Sequence, residues 1–246
     1  MKPPDKENPL VIFSRPSYDW VNRINVKSER LTKLKQSATT FEQISRSLEF
    51  DCARSVMSLE SDRRTVNVAD RQSESDFDPL QAIRTVVEAV RRGGKNTELT
   101  PKLLVAIRFG SSGTGEFRSN AGDPTRGVRP VPANRLGEAI ANACQWFTAD
   151  SFRELNPVEQ ASIAFLRLIE LQPFDSRNEE SGLIGSSIFT LRRGLPPVII
   201  GDNRLEQYRS ARAAGLAMNT TALVDFFAHS VEESLDGVIA LLEKEG

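Results

Sequence analysis

Histidine is nearly absent from this 246-residue chain: His229 is the only one. It lies in the last helical stretch, remote along the chain from the polar loop described below, and reads as a surface or boundary residue. No Ser–His–Asp arrangement, zinc pattern or phosphate-binding P-loop is present. Cysteine is as scarce, with Cys52 and Cys144 far apart and without a metal-ligand spacing. Both read as small buried hydrophobes in a reducing interior. No run approaches the roughly 20 apolar residues that span a bilayer, and residues 1–7 (MKPPDKE) lack the apolar core of a signal peptide. A cytoplasmic protein without membrane contact is therefore expected. Excess charge of one sign is missing too: charged residues make up 26% of the chain and the net charge is −1. That excludes a broad electrostatic footprint for nucleic acid.

What is present is helical periodicity. Leu31 to Leu59 reads as helical, with Phe41, Ile44, Leu48 and Met57 at roughly helical intervals. Residues 61–79 are polar and suit a linker. Leu80, Ile83, Val87 and Val90 mark a helix closed by Gly93-Gly94, and Thr100-Pro101 opens another with a cap and a first-turn proline. Residues 110–132 carry glycines at 110, 113, 115, 122 and 127 and prolines at 124, 130 and 132, which exclude a long helix. A small hairpin turning at Gly122–Gly127 is expected there. Leu136, Ile140, Ala143 and Phe147 restore helical spacing. Asn156-Pro157-Val158-Glu159 is a capping box with proline in the first turn. The helix that it opens, through Leu171, is apolar on nearly every face and belongs in the centre of a core. A helix over about 180–193 ends at Gly194 before Pro196-Pro197, and Val224, Phe227, Val231, Leu235, Val238 and Leu242 define an amphipathic last helix.

Between the buried helix and the next lies Gln172-Pro173-Phe174-Asp175-Ser176-Arg177-Asn178-Glu179-Glu180-Ser181-Gly182-Leu183. A loop that feeds a helix N-terminus is a natural anion site, because the first turn's N–H groups and the helix dipole point outward. From about Leu80 onward the chain resembles the Fic (Fido-fold) family of nucleotidyl transferases, most of which move AMP from ATP onto a protein hydroxyl. The residues that carry the resemblance are Gly115-Glu116-Phe117-Arg118, Pro132, Ala164-Phe165-Leu166-Arg167 and the segment Leu191-Arg192-Arg193-Gly194-Leu195-Pro196-Pro197-Val198-Ile199-Ile200. The resemblance implies an all-α, Fic-type helical bundle with a small β-hairpin flap. It divides the chain into an N-terminal helical segment, 1–79, and a Fic-like core, 80–246.

The family's loop reads H-P-F-x-(D/E)-G-N-G-R-x-x-R: a general base, a Mg²⁺-holding acid, an amide nest and phosphate-binding arginines. Here Pro173, Phe174, Asn178 and Gly182 keep the frame, and Phe174 and Asn178 are vestiges of a nucleotide site. Gln172 stands at the base, Ser176 at the acid, and Arg177 and Glu179 at the glycines. Glu180 and Leu183 replace the arginines. An amide does not accept a proton near neutral pH, and non-glycine residues make any left-handed nest costly. The expectation is a pseudoenzyme that requires no cofactor and binds a protein or regulates one. The alternative is a Fic-type transferase of AMP to protein Ser, Thr or Tyr hydroxyls with an atypical loop, which would need Mg²⁺ and ATP. Acids in a helix's first turn also stabilise it, so Glu179 and Glu180 read as caps. A re-purposed cation site from Asp175, Glu179 and Glu180 is the competing view.

The resemblance also implies that Ser55–Asp62 matches the family's inhibitory helix, with Glu60 at its glutamate. Its usual arginine partner is Leu183 here, so the stretch reads as a retained packing helix. Residues 115–132, including Gly115, Glu116, Phe117 and Arg118, correspond to the target flap, where a protein partner would dock; a blunted surface loop is the equal alternative. Arg118, Arg126, Arg129 and Arg135 make that region locally basic. A homo-oligomer is compatible with everything above, and a bacterial source is implied by resemblance alone.

Overall fold

The computed structural model describes residues 19–34, 38–59, 77–110, 115–123 and 128–245, and among them every regular element is helical. Helices α1 (Asp19–Leu34) and α2 (Ala38–Ser58) come first, then α3 (Pro79–Gly93) and α4 (Pro101–Phe109), joined through a 3-10 turn at Gly94–Asn96. The chain continues through α5 (Ala133–Trp146), the single-turn α6 (Asp150–Arg153), α7 (Pro157–Leu171) and α8 (Asn178–Ser186). Short α9 (Ile188–Leu191), α10 (Leu205–Leu216) and α11 (Thr221–Glu245) complete the order.

The helix starts follow from their caps. Asp78 accepts from the Leu80 and Gln81 N–H groups at 2.9 and 3.1 Å, and Thr100 accepts from Leu103 N–H at 3.1 Å. At α7, Asn156 accepts from Val158 N–H at 3.0 Å while Glu159 accepts from Asn156 N–H at 2.9 Å, the reciprocal pair expected from sequence. Helix α7 is the hub: it packs against α8, α9, α10 and α11, and Ala161, Ala164, Phe165, Leu168 and Leu171 are buried on its several faces. α11 buries the expected stripe from Val224 to Leu242. It also packs against α10, α2 and α1, the last of which buries Trp20, Ile24 and Leu31 and adds a row of ion pairs. Arg23 grips Glu232 with two bonds of 2.8 and 2.9 Å, Lys27 reaches Asp236 at 2.7 Å, and Arg30 pairs with Glu243.

Four expectations change. The helical stretch expected over 31–59 is two helices, α1 and α2, with residues 35–37 outside the described set. The helix expected over about 180–193 begins earlier, at Asn178, and breaks at Ser187. There the Ser186 and Ser187 hydroxyls both donate to the Leu183 carbonyl, at 2.9 and 3.1 Å, and compete with the Ser187 N–H, which reaches it at 3.3 Å and also the Ile184 carbonyl at 3.1 Å. Helix α10 was not anticipated at all. The hairpin expected over 115–132 is not formed: residues 115–123 and 128–132 hold no strand, and 124–127 lie outside the described residues. The reason is Arg118, whose guanidinium donates to Asn120 O and Val131 O, each at 2.6 Å. One side chain thus bridges the two arms where a ladder would have run.

Candidate functional site

The Gln172–Leu183 loop leaves the end of α7 and enters α8, so the two most buried helices set its ends. Gln172 closes α7 in the left-handed conformation (φ 46°, ψ 65°), with its N–H on Leu168 O at 3.1 Å. Phe174 is buried, edge-on to Phe109 with centroids 5.5 Å apart and tilted against Phe117 at 5.8 Å. Asn178 holds the turn: its Oδ1 accepts from Phe174 N–H at 2.8 Å and its Nδ2 donates to Phe174 O at 2.7 Å. That bracket fixes the backbone of the loop between Phe174 and Asn178.

The flap is fastened to this loop. Arg118 donates from Nε to Gln172 O at 2.6 Å and from Nη2 to Leu171 O at 3.3 Å, and its N–H meets Pro173 O at 2.9 Å. Burial pulls its guanidinium below the ordinary pKa, with Asp175 opposing. Arg118 is therefore an internal staple and not part of a basic surface. Arg129 and Arg135 are exposed, and Arg126 lies outside the described residues. Asn120 Nδ2 donates to Asp175 at 2.7 Å, and the Gln172 side chain pairs with the Asp123 backbone. Gly115, Glu116 and Phe117 enter the same strap, with Glu116 exposed. Together the strap and loop line a polar cleft of about 430 Å³ that includes Asn120, Asp123, Gln172, Asp175, Ser176 and Asn178.

At the head of α8 the charges point inward. The Glu179 carboxylate accepts from Tyr208 Oη at 2.6 Å and pairs with Arg212, both on α10. Burial opposes the charge on Arg212, yet Glu179 and Tyr208 hold its pKa above the ordinary value. Burial, then Glu179, pushes the Tyr208 hydroxyl well above its usual range. Glu180, 1% exposed, faces Arg177 at 3.6 Å. Arg177 itself is left-handed (φ 63°), so the loop keeps at this position a backbone that suits glycine. Glu179 is helical, and the feared second strained position does not arise. Ser176 receives Arg108 Nη2 at 3.1 Å, and that guanidinium lies 4.7 Å from the Phe109 ring centre.

The three carboxylates once considered as a cation site are thus dealt to separate partners. Among the described residues no group of three or more His, Cys, Asp or Glu side chains is placed to hold a metal ion. Leu183 is fully buried. Glu60 lies outside the described residues; Ser55, which opens the same stretch of sequence, accepts from Ile200 N–H at 2.8 Å, which docks α2 on the 198–200 segment. His229 is exposed, its ring nitrogen 2.8 Å from Asp225 O. Tyr208 and Arg212 were missed from sequence, although Leu205, Tyr208, Ala211 and Gly215 follow helical steps and three of them are buried.

No family model matches the chain. It is 28% identical over 115 residues to the protein adenylyltransferase fic-1 of Caenorhabditis briggsae, covering 46% of this chain and 22% of that protein. It is 27% identical over 122 residues to the protein adenylyltransferase Fic of Drosophila mojavensis, covering 50% of this chain and 24% of that one. The match therefore spans less than a quarter of these curated relatives. A solved structure of Caenorhabditis elegans Fic-1 (residues 134–508) superposes with a TM-score of 0.68 at 15% identity, covering 90% of this chain and 71% of that one. A Fic-domain-containing signalling protein from Bacteroides thetaiotaomicron gives 0.68 at 15% identity, covering 91% and 99%. No helix among the described residues is long and apolar enough to cross a membrane. With the helical frame, the loop between its two buried helices and these likenesses in hand, the chain has the all-α Fic fold.

Proposed function

We propose that this protein is a Fic-fold module that does not transfer AMP and that works by binding another protein across its flap. The observation that carries the reading is the pair of buried carboxylates, Glu179 and Glu180, at the head of α8. A helix N-terminus favours one set of negative charges. Here side chains supply them and internal cations neutralise them, so a triphosphate would add like charge to a filled seat. The residues present do not fit Mg²⁺ and ATP: Ser176 offers a hydroxyl already bonded to Arg108, and Gln172 offers an amide. Absence of a general base alone typically lowers a rate about 10²–10⁴-fold, and the electrostatic contribution at the phosphates is usually larger. Exposed Glu116, Asn120, Asp123 and Arg129 give the flap a polar outer face suited to a protein partner.

The test is incubation with ATP or CDP-choline and Mg²⁺, followed by intact mass spectrometry and a thermal shift. The expected result is no mass increase and no nucleotide-dependent stabilisation. A nucleotide-dependent adduct that disappears in Gln172→Ala would overturn the reading in favour of a transferase with an altered loop.

A further inference from the structure

Gln172 does more than fill the place of a base. Its Oε1 accepts from the Asp123 N–H at 2.7 Å, and its Nε2 donates to the Asp123 carbonyl at 2.8 Å. A primary amide presents a donor and an acceptor side by side, as a peptide unit presents them to a neighbouring strand. Gln172 therefore makes with Asp123 the two-bond pairing of a β-bridge, with a side chain in place of the second strand. An imidazole cannot do this, because its two nitrogens diverge from opposite edges of the ring. The flap backbone is fitted to the amide: Gly122 (φ +76°) passes so close that an added Cβ would lie 3.0 Å from Gln172 Oε1 and 2.8 Å from Pro130 Cβ. Gln172 is itself buried, 3% exposed, and 49 residues separate it from Asp123 in the chain.

We propose that Gln172 is a latch that holds residues 120–123 of the flap against the loop and fixes the flap as one preformed surface. Two further side-chain ties accompany it, Asn120 to Asp175 at the surface and Arg118 to the carbonyls around Gln172 in the interior. The latch stands on geometry alone; its use in presenting the flap to a protein rests on the reading above. Opening it would free the Asp123 N–H and carbonyl and release the outer part of the strap.

The test is amide-resolved hydrogen exchange on the full chain, with the α7 amides as the folding control. Gln172→Leu removes both bonds and is expected to lower protection at the Asp123 amide by about tenfold or more, with α7 unchanged. Gln172→Glu supplies acceptors only when ionised, but a donor and an acceptor when protonated. Its Asp123 protection, compared with wild type, is expected to recover as pH falls below about 4, whereas that of Gln172→Leu stays low. Free-peptide exchange at Asp123 in the wild type, or equal protection in Gln172→Leu, would overturn the proposal. So would a pH-independent Gln172→Glu. ATP-dependent self-modification would sink the non-catalytic reading while leaving these exchange results standing.

Discussion

Glu179 and Tyr208 share a hydrogen bond of 2.6 Å inside the protein, and Arg212 closes the third side of the same cluster. Helices α8 and α10 are joined there by charge that is largely withdrawn from solvent. Removing one member of a buried ion pair leaves the other uncompensated, which typically costs about 3–5 kcal/mol. Because Arg212 keeps 30% of its side chain exposed, we expect Glu179→Ala to lose about 2–4 kcal/mol in urea unfolding. A loss below about 0.5 kcal/mol would mean that the cluster is not stabilising.

Tyr208 gives a pH prediction with a definite sign. Its folded pKa is raised by burial and by Glu179, so its contribution to stability is fully present below the unfolded value of about 10 and fades as pH rises through the folded value. Difference spectra of wild type against Tyr208→Phe should show no tyrosinate from residue 208 until alkaline unfolding begins. Ionisation near pH 10 in the folded protein would contradict the buried placement.

Arg177 pits backbone strain against an ion pair. Arg177→Gly relieves a left-handed non-glycine residue, worth roughly 1 kcal/mol, but gives up the contact with Glu180. Arg177→Ala gives up the same contact and keeps the strain. The glycine variant should therefore be the more stable of the two by about 1 kcal/mol, measured by paired denaturation curves. The reverse order would show that the loop relaxes away from φ 63°.

Arg118 serves four carbonyls, those of Leu171, Gln172, Asn120 and Val131. A lysine keeps the charge but not the planar fork. We expect Arg118→Lys to cost about 2–3 kcal/mol and to raise the rate of limited proteolysis within 119–131, while the helical circular dichroism stays close to wild type. Unchanged cleavage kinetics would refute the staple.

Burial pushes the Cys52 and Cys144 thiols up to about 12. Both should resist a thiol-specific disulfide reagent at pH 8 in the native state and react together once the protein is unfolded. Fast native labelling of either would show an opened core.

The sequence carried the frame of this fold because its signals are local. The caps at Thr100 and Asn156 and the stripe from Val224 to Leu242 each report on neighbours within a turn or two, and each is where it was expected. The site was less legible because its bonds are not local. Gln172 reaches 49 residues back to Asp123, and Glu179 reaches 29 forward to Tyr208. Read along the chain, the glutamates looked like exposed first-turn acids, whereas each is buried with a cation. The turn residues of the flap did exclude a helix, but nothing in their order revealed that Arg118 would take the ladder's carbonyls. Helix α10 escaped notice because Arg204 precedes it without a side-chain cap.

The row of ion pairs between α1 and α11 also has a timing consequence. Arg23 and Glu232 are 209 residues apart, and synthesis adds about 5–20 residues per second. For roughly 10–40 s on the ribosome, α1 is made but its dock is not. Through that interval Trp20, Ile24 and Leu31 have no native surface to cover them. Helix α1 is thus made well before it can settle, and a chaperone that shields apolar helices should engage it during that wait.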